Sequence, residues 1–97
     1  MRIIPGTSSP VGHETLVISN VALGLTPAKY ANGVLSAYIT VETAPIRFWL
    51  DGSNPTNSQG IILTAGEAVE LDSTEEITKF KAIAVSTDST LNIIYSK

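Results

Sequence analysis

The sequence predicts an all-β domain, an immunoglobulin-like β-sandwich of about seven antiparallel strands. Short segments in which apolar and polar residues alternate recur along the 97-residue chain, and this period-2 pattern is typical of strands with one buried face. Turn-forming residues separate the segments about every 8–12 residues, a spacing typical of sandwiches and barrels. No segment shows the longer periodicity of a substantial helix. Loops of unequal length favour a sandwich over the alternative, a barrel.

Composition fits a single domain with one core, because 43% of the residues are hydrophobic and 15% are charged. The net charge is −3 and the six Lys and Arg residues are scattered, so the basic patch that nucleic acid requires is missing. No apolar run approaches the roughly 20 residues of a membrane span, and the first residues do not resemble a signal peptide. Cys is absent, which excludes disulfides. We expect neither a nucleic-acid nor a membrane partner.

Residues 1–13 are predicted to form an extended N-terminal arm, and residues 14–97 the sandwich domain. The arm contains two Pro and two Gly residues, a composition typical of extended chain. Its two isoleucines either pack against the domain's own edge or dock on a neighbouring subunit. Ordering a dozen residues on its own domain would cost more free energy than burying two isoleucines returns. We therefore predict that four arm residues contact a partner: Arg2, Ile3, Ile4 and Pro5.

The alternation of apolar residues locates the strands, which are predicted at residues 14–23, 34–43, 45–50, 61–63, 68–71, 79–85 and 91–95. Asn20 marks a place where the alternation slips, as at a kink or a bulge. Thr26 and Pro27 predict one helical turn, with Thr26 as its cap and Pro27 at its first position. Residues 72–76 are predicted to form a solvent-exposed acidic turn.

The predicted core consists of apolar residues on the inward faces of the strands: Leu16, Ile18, Leu35, Ile39, Val41, Phe48, Leu50, Val69, Leu71, Phe80 and Ile93. The strand around Phe48 is expected to be central, and it ends abruptly at Asp51. Asp51 should accept backbone hydrogen bonds across the turn, so its predicted role is structural. Trp49, on the opposite face from Phe48, either covers its own sheet or contacts a partner or a sugar ring. Arg47 on the same face allows a cation–π pair with it.

Residues able to carry a reaction are scarce. His13 is the only histidine, and in the predicted arm no rigid element would hold it beside a nucleophile. One His without Cys does not make a transition-metal site. A calcium site at Asp51, Glu70 or Asp72 would lack the dense acidic spacing of a calcium loop. We therefore expect no enzymatic activity, catalytic residue, cofactor or metal.

Residues 46–56 read IRFWLDGSNPT, and they are followed by GIIL at 60–63 and AGE at 65–67. This succession resembles a family of small tailed-phage virion proteins. The resemblance also takes in residues 24–33, 77–84 and 91–95, and so covers nearly all of the chain beyond residue 14. The Asp-Gly-x-x-Pro-Thr element alone is also similar to immunoglobulin-like accessory modules of carbohydrate-active enzymes.

The resemblance implies a structural protein of the phage virion, most simply a decoration or cement protein on the outer capsid surface that is assembled in the host cytoplasm. The expected partners are the major capsid protein and copies of the chain itself, and a homotrimer is one assembly compatible with this role. The predicted arm would bridge to neighbouring subunits. The alternative is a carbohydrate- or receptor-binding module of a fibre or tail tip, which would use Trp49, Tyr38 or Tyr30.

Overall fold

Two four-stranded antiparallel sheets pack face to face in the computed structural model, which describes residues 9–97. The predicted all-β sandwich is therefore confirmed, with eight strands in the described part of the chain instead of about seven. The strands are β1 Pro10–Ile18, β2 Leu23–Gly24, β3 Ser36–Val41, β4 Ile46–Trp49, β5 Ile61–Leu63, β6 Ala68–Leu71, β7 Lys81–Ala84 and β8 Ser89–Ser96. Two short helices are inserted, α1 Pro27–Tyr30 after β2 and α2 Thr74–Lys79 after β6.

The first sheet has the strand order β1-β8-β3-β6, and the second has the order β2-β7-β4-β5. Within the first sheet, β8 lies between β1 and β3 and pairs with both. Strands that are neighbours in space are therefore often distant in sequence, as in the Greek-key connections of other sandwiches.

The core lies between the two sheets. Phe48 of β4 and Phe80, which precedes β7, pack with their ring centroids 5.6 Å apart. The buried members of the predicted core are Ile18, Ile39, Val41, Phe48, Leu71, Phe80 and Ile93, and Leu16, Leu50 and Val69 pack against them while partly buried. Further buried residues complete it, among them Leu25, Ile46, Ile77, Leu91 and Tyr95.

Leu35 contradicts the predicted core, because it is 57% exposed whereas Val34 is 3% exposed. The prediction began the alternation at residue 34, but β3 begins at Ser36. Asn32 and Gly33 have positive φ angles of 64° and 85°, so the chain turns here before the pleat begins. Faces alternate strictly only in a pleated strand, and Val34 takes the buried position instead.

The predicted arm is wrong for its last residues, because β1 begins at Pro10 and pairs with β8. Ser9 and Lys97 extend this pairing with reciprocal backbone hydrogen bonds of 3.1 and 3.0 Å. Pro10 and Gly12 are accommodated because β1 is an edge strand with a register shift between them, and edges and bulges tolerate both residue types. Four residues predicted to contact a partner lie outside the described residues: Arg2, Ile3, Ile4 and Pro5.

The other end of β1 also differs from the prediction, since the strand ends at Ile18 and not at residue 23. The Ser19 carbonyl accepts a hydrogen bond of 2.9 Å from the Ala84 amide, so the chain passes here from the first sheet to the second. Of the two alternatives predicted at Asn20, the kink is therefore observed, as a bend at residues 20–21, and the bulge is wrong. The irregularity lies instead at Val11, the extra residue in the register shift near the start of β1.

The predicted helical turn is confirmed as α1, with Pro27 at its first position. Thr26 lies at the N-cap position, but the predicted cap is wrong for its side chain, which makes no capping bond and donates to Glu14 instead. The predicted acidic turn at 72–76 is wrong, because α2 begins at Thr74. The Ser73 hydroxyl accepts a hydrogen bond of 3.1 Å from the Glu76 amide, and the Glu76 carboxylate accepts one of 3.0 Å from the amide of Asp72. This arrangement is close to a capping box, and it explains why an acidic sequence is helical here.

Candidate contact surfaces

The first sheet presents to solvent a set of side chains that we call the outer face: His13, Thr15, Val17, Thr90, Asn92, Ile94, Tyr38, Thr40, Ala68 and Glu70. Along each strand they alternate with residues that point into the core. Ile94 is the register partner of both His13 and Tyr38, and Tyr38 also pairs with Glu70. These four side chains therefore form one row across the whole sheet, with Tyr38 near its middle.

The next row of the outer face is polar and centred on Asn92. The Thr15 hydroxyl donates to Asn92 Oδ1 at 2.9 Å, and Asn92 Nδ2 donates to Glu42 Oε1 at 2.7 Å. The Thr40 hydroxyl donates to the Asn92 carbonyl at 3.4 Å. Because these bonds fix the amide and both hydroxyls, the row presents polar groups in a defined orientation.

A groove of about 580 Å³ follows the first half of β1 beside β8 and is lined by residues 10–15 and 92–94. Val11, one of its lining residues, is 49% exposed. A bulge redirects the side chain of the extra residue, and here that residue is Val11. With Ile94 also in the lining, the groove can receive an apolar side chain of a partner.

Trp49 lies on the opposite side of the molecule, on the outward side of the second sheet. It is partly exposed, and its register partner is Lys81. The guanidinium of Arg47 is directed at the following loop, where Nη1 donates to the Gly60 carbonyl at 2.8 Å and Nε to the Asn57 carbonyl at 3.3 Å. Arg47 therefore anchors a loop, and Trp49 keeps a partly exposed ring on a surface far from Tyr38 in the fold.

The loop after β4 is held in one shape by hydrogen bonds, both within the loop and to neighbouring elements. Asp51 Oδ1 accepts a hydrogen bond of 3.0 Å from the Ser53 amide, and this bond is the main reason why the pKa of the Asp51 carboxyl is lowered. The Gly52 amide donates to the Lys79 carbonyl at 3.2 Å, which ties the loop to the end of α2. Pro55 is buried. Asp51 thus accepts a backbone hydrogen bond across the turn, as the sequence predicts.

A polar cluster that the sequence does not predict lies on the inward side of β1. Glu14 accepts hydrogen bonds from the hydroxyl and amide of Thr26 at 2.6 and 3.2 Å, and also from the Tyr95 hydroxyl. Burial, and next the Glu14 carboxylate, raise the pKa of Tyr95. The sequence does hold one signal for this cluster: Glu14 is two and four residues from the inward residues Leu16 and Ile18, so it lies on the same face of the strand. The cluster joins β1, β8 and the segment before α1, which indicates a structural role.

His13 lies within β1 on the outer face, and not in an arm. Among residues 9–97, no three His, Asp or Glu side chains are grouped so that they could hold a metal ion. In the same range, the helices are too short to cross a membrane. Comparison with family models, curated proteins and solved structures gives no match.

Proposed function

We propose that this protein is a structural component of a tailed-phage virion, one that decorates the outer surface of the capsid and binds the major capsid protein and copies of itself. The phage assignment rests on the resemblance of residues 46–67 to small virion proteins. The observation that supports a contact role is the outer face, where Tyr38, Ile94 and the groove beside Val11 adjoin a row of fixed polar groups.

The chemistry of the outer face suits a protein contact. It carries two carboxylates, Glu70 and, bonded to Asn92 in the polar row, Glu42, and no Lys or Arg. Burying a charge requires removing its water, which is costly unless a partner charge is supplied. The cores of protein interfaces are accordingly depleted in charged residues and enriched in aromatic residues such as Tyr.

Two further surfaces belong to the proposal. Trp49 offers a contact on the opposite sheet, so that one domain can touch two neighbours at once. The N-terminal residues would reach an adjacent subunit or the shell: Arg2, Ile3, Ile4 and Pro5. Many weak contacts of this kind act together when a protein is repeated over a surface.

Quantitative mass spectrometry of purified virions of the phage that encodes this chain tests the proposal. We expect a copy number in fixed ratio to the major capsid protein, and release of the chain by mild denaturant from heads that stay intact. A chain present in only a few copies per virion would contradict capsid decoration.

A pair of matched variants tests whether the outer face makes the contact. Ile94→Lys places a charge on the outer face, and Ile62→Lys makes the same change on β5, where the isoleucine is 45% exposed. We expect about a tenfold or larger loss of affinity for undecorated heads with Ile94→Lys, and no comparable loss with Ile62→Lys. Circular dichroism would verify that both variants fold. Equal binding by both would show that the outer face is not the contact.

The second candidate function is carbohydrate or receptor binding at a fibre or tail tip. Tyr38 favours it, because its partly exposed ring lies near the centre of the outer face beside Glu70 and the neighbouring Thr40. An aromatic ring flanked by hydrogen-bonding groups can hold a sugar ring. A glycan array probed with the isolated protein would support this function if it retained a sugar that Tyr38→Ala does not bind.

A further inference from the structure

β1 pairs with β8 along one edge, and its other edge is free in the described part of the chain. The edge strands of the two sheets are β1, β6, β2 and β5, and their lengths are 9, 4, 2 and 3 residues. Proteins usually shorten, charge or cover their edge strands, because an exposed edge is a template for another strand. β1 is long, and it carries no Lys or Arg. Its bulge protects its beginning alone.

The hydrogen bonds of β8 show which backbone groups of β1 point outward. The carbonyls of Ser96 and Thr90 accept bonds of 2.9 Å from the amides of Leu35 and Glu42, on the β3 side of β8. Backbone groups alternate in direction along an antiparallel strand, so the intervening residues of β8 bond to β1: Leu91, Ile93 and Tyr95. Their register partners on β1 are Leu16, Glu14 and Gly12.

The remaining residues of β1, His13, Thr15 and Val17, must therefore direct both N–H and C=O away from β8. No backbone bond from these three residues to another described segment is present beyond the β1–β8 ladder. Ser19, the next residue in this alternation, already accepts a backbone hydrogen bond from Ala84. The free edge is thus a short row of unpaired backbone N–H and C=O groups centred on Thr15.

We propose that this edge pairs with the same edge of a second copy of the chain, about a twofold axis at Thr15. An antiparallel ladder centred there pairs Thr15 with Thr15 and His13 with Val17, and each pair exchanges two backbone hydrogen bonds. The pairing satisfies all the outward groups of both copies, and it joins the two first sheets into one eight-stranded sheet. A patch that is complementary to itself under a twofold axis is the requirement for a closed dimer.

Side chains are compatible with this pairing. Opposite Thr residues form favourable cross-strand pairs, and Val17, now 61% exposed, gains a neighbour in His13. Glu14 points inward and accepts hydrogen bonds from Thr26 and Tyr95, so no like charges meet across the axis. This inference does not rest on the proposed function, because it concerns the isolated protein in solution.

Disulfide trapping tests the pairing and its register, since the chain has no cysteine of its own. In the proposed dimer the two Thr15 Cα atoms lie about 5.5 Å apart, which suits a disulfide. The two Val17 residues are offset by four residues, roughly 14 Å along the strand. We expect Thr15→Cys to form a covalent dimer on mild oxidation, and Val17→Cys to form none. No cross-link with Thr15→Cys, or equal cross-linking by both, would overturn the proposal.

Matched lysine variants test the association without a covalent bond. Thr15→Lys sets two like charges against each other at the axis, whereas Thr40→Lys adds the same charge on the central strand β3. Each change removes one hydrogen bond to Asn92, so their effects on the fold should be similar. In analytical ultracentrifugation we expect twice the 10.3 kDa chain mass for the unaltered protein and for Thr40→Lys, with at least tenfold weaker association for Thr15→Lys. A monomer or a trimer for the unaltered protein would contradict twofold pairing.

Discussion

The two sheets are built in different ways. The first is made of long strands, and β1 and β8 pair along nearly their whole length. In the second, β2 contributes two paired residues and β5 three. The second sheet depends on side chains that bond to loops, such as Arg47 to the Gly60 carbonyl. Regular backbone pairing leaves a periodic signal in the sequence, and anchored loops leave almost none.

The largest effect is expected where the second sheet meets the core. Phe48 is 3% exposed and packs on Phe80, so Phe48→Ala removes a large apolar side chain and leaves a cavity. We expect the free energy of unfolding, measured with urea, to fall by about 3–5 kcal/mol. A loss below about 1 kcal/mol would mean that the core does not depend on this sheet.

A glycine pair tests the anchored loop of the second sheet. A Cβ on Gly60, whose φ is 136°, would lie 3.0 Å from the Cβ of Arg47 and 3.2 Å from that of Pro55. Gly33 also has a positive φ, 85°, but no atom within 4 Å of its Cβ position. We expect Gly33→Ala to cost about 1–2 kcal/mol from backbone strain, and Gly60→Ala to cost roughly 1–3 kcal/mol more from overpacking. Equal losses in urea unfolding would show that the loop can move aside.

The first sheet should respond to alkaline pH through Tyr95. Its folded-state pKa is raised above 10.0, so the stability that this group contributes is complete below pH 10 and is lost as the pH rises further. Tyr95→Phe should cost about 1–2 kcal/mol at neutral pH through the lost hydrogen bond to Glu14. It should also reduce the fall in melting temperature above pH 10. An unchanged alkaline profile would assign that fall to other groups.

The smallest effect is expected at the exposed turn of the second sheet. The folded-state pKa of Asp51 is lowered from 3.8, so its contribution is present above that pH and is lost as the pH falls through the folded value. Asp51→Ala should lower the melting temperature slightly at pH 7 and lessen its fall in acid. Asp88→Ala, which removes another exposed carboxylate, is the control for net charge. Identical shifts for both would show that the turn bond contributes nothing.

The sequence predicts the inner faces of β3, β4 and β7 well, because residues such as Ile39, Phe48 and Ala82 follow strict alternation. The prediction fails where the backbone leaves the pleat, and strict alternation therefore puts Leu35 in the core instead of Val34. The prediction also fails at α2, although Ser73 and Glu76 have the spacing of a capping box, because the acidic residues within 72–76 are typical of a solvated turn.

Pairing between distant strands could not be predicted. The bond between Tyr95 and Glu14 joins residues 81 positions apart, and no local pattern identifies such partners. The same limit applies to the contact surfaces, since local alternation is readable from the sequence and strand pairing is not. Alternation alone places Tyr38 on the wetter face of its strand, but the row that it forms with His13 and Ile94 depends on β8 lying between β1 and β3.

The central position of β8 has a kinetic consequence. β1 and β3 are formed by residues 10–41, and β3 can pair on one side with β6, but β1 has no partner in the first sheet until residues 89–96 arrive. The other side of β3 is also unpaired until then. Contacts between segments so distant in sequence are slow to form, and domains dominated by them fold over milliseconds to seconds. During that interval both strands expose unpaired backbone, which favours association of unfinished chains. The protein is therefore most vulnerable to aggregation before β8 closes the sheet.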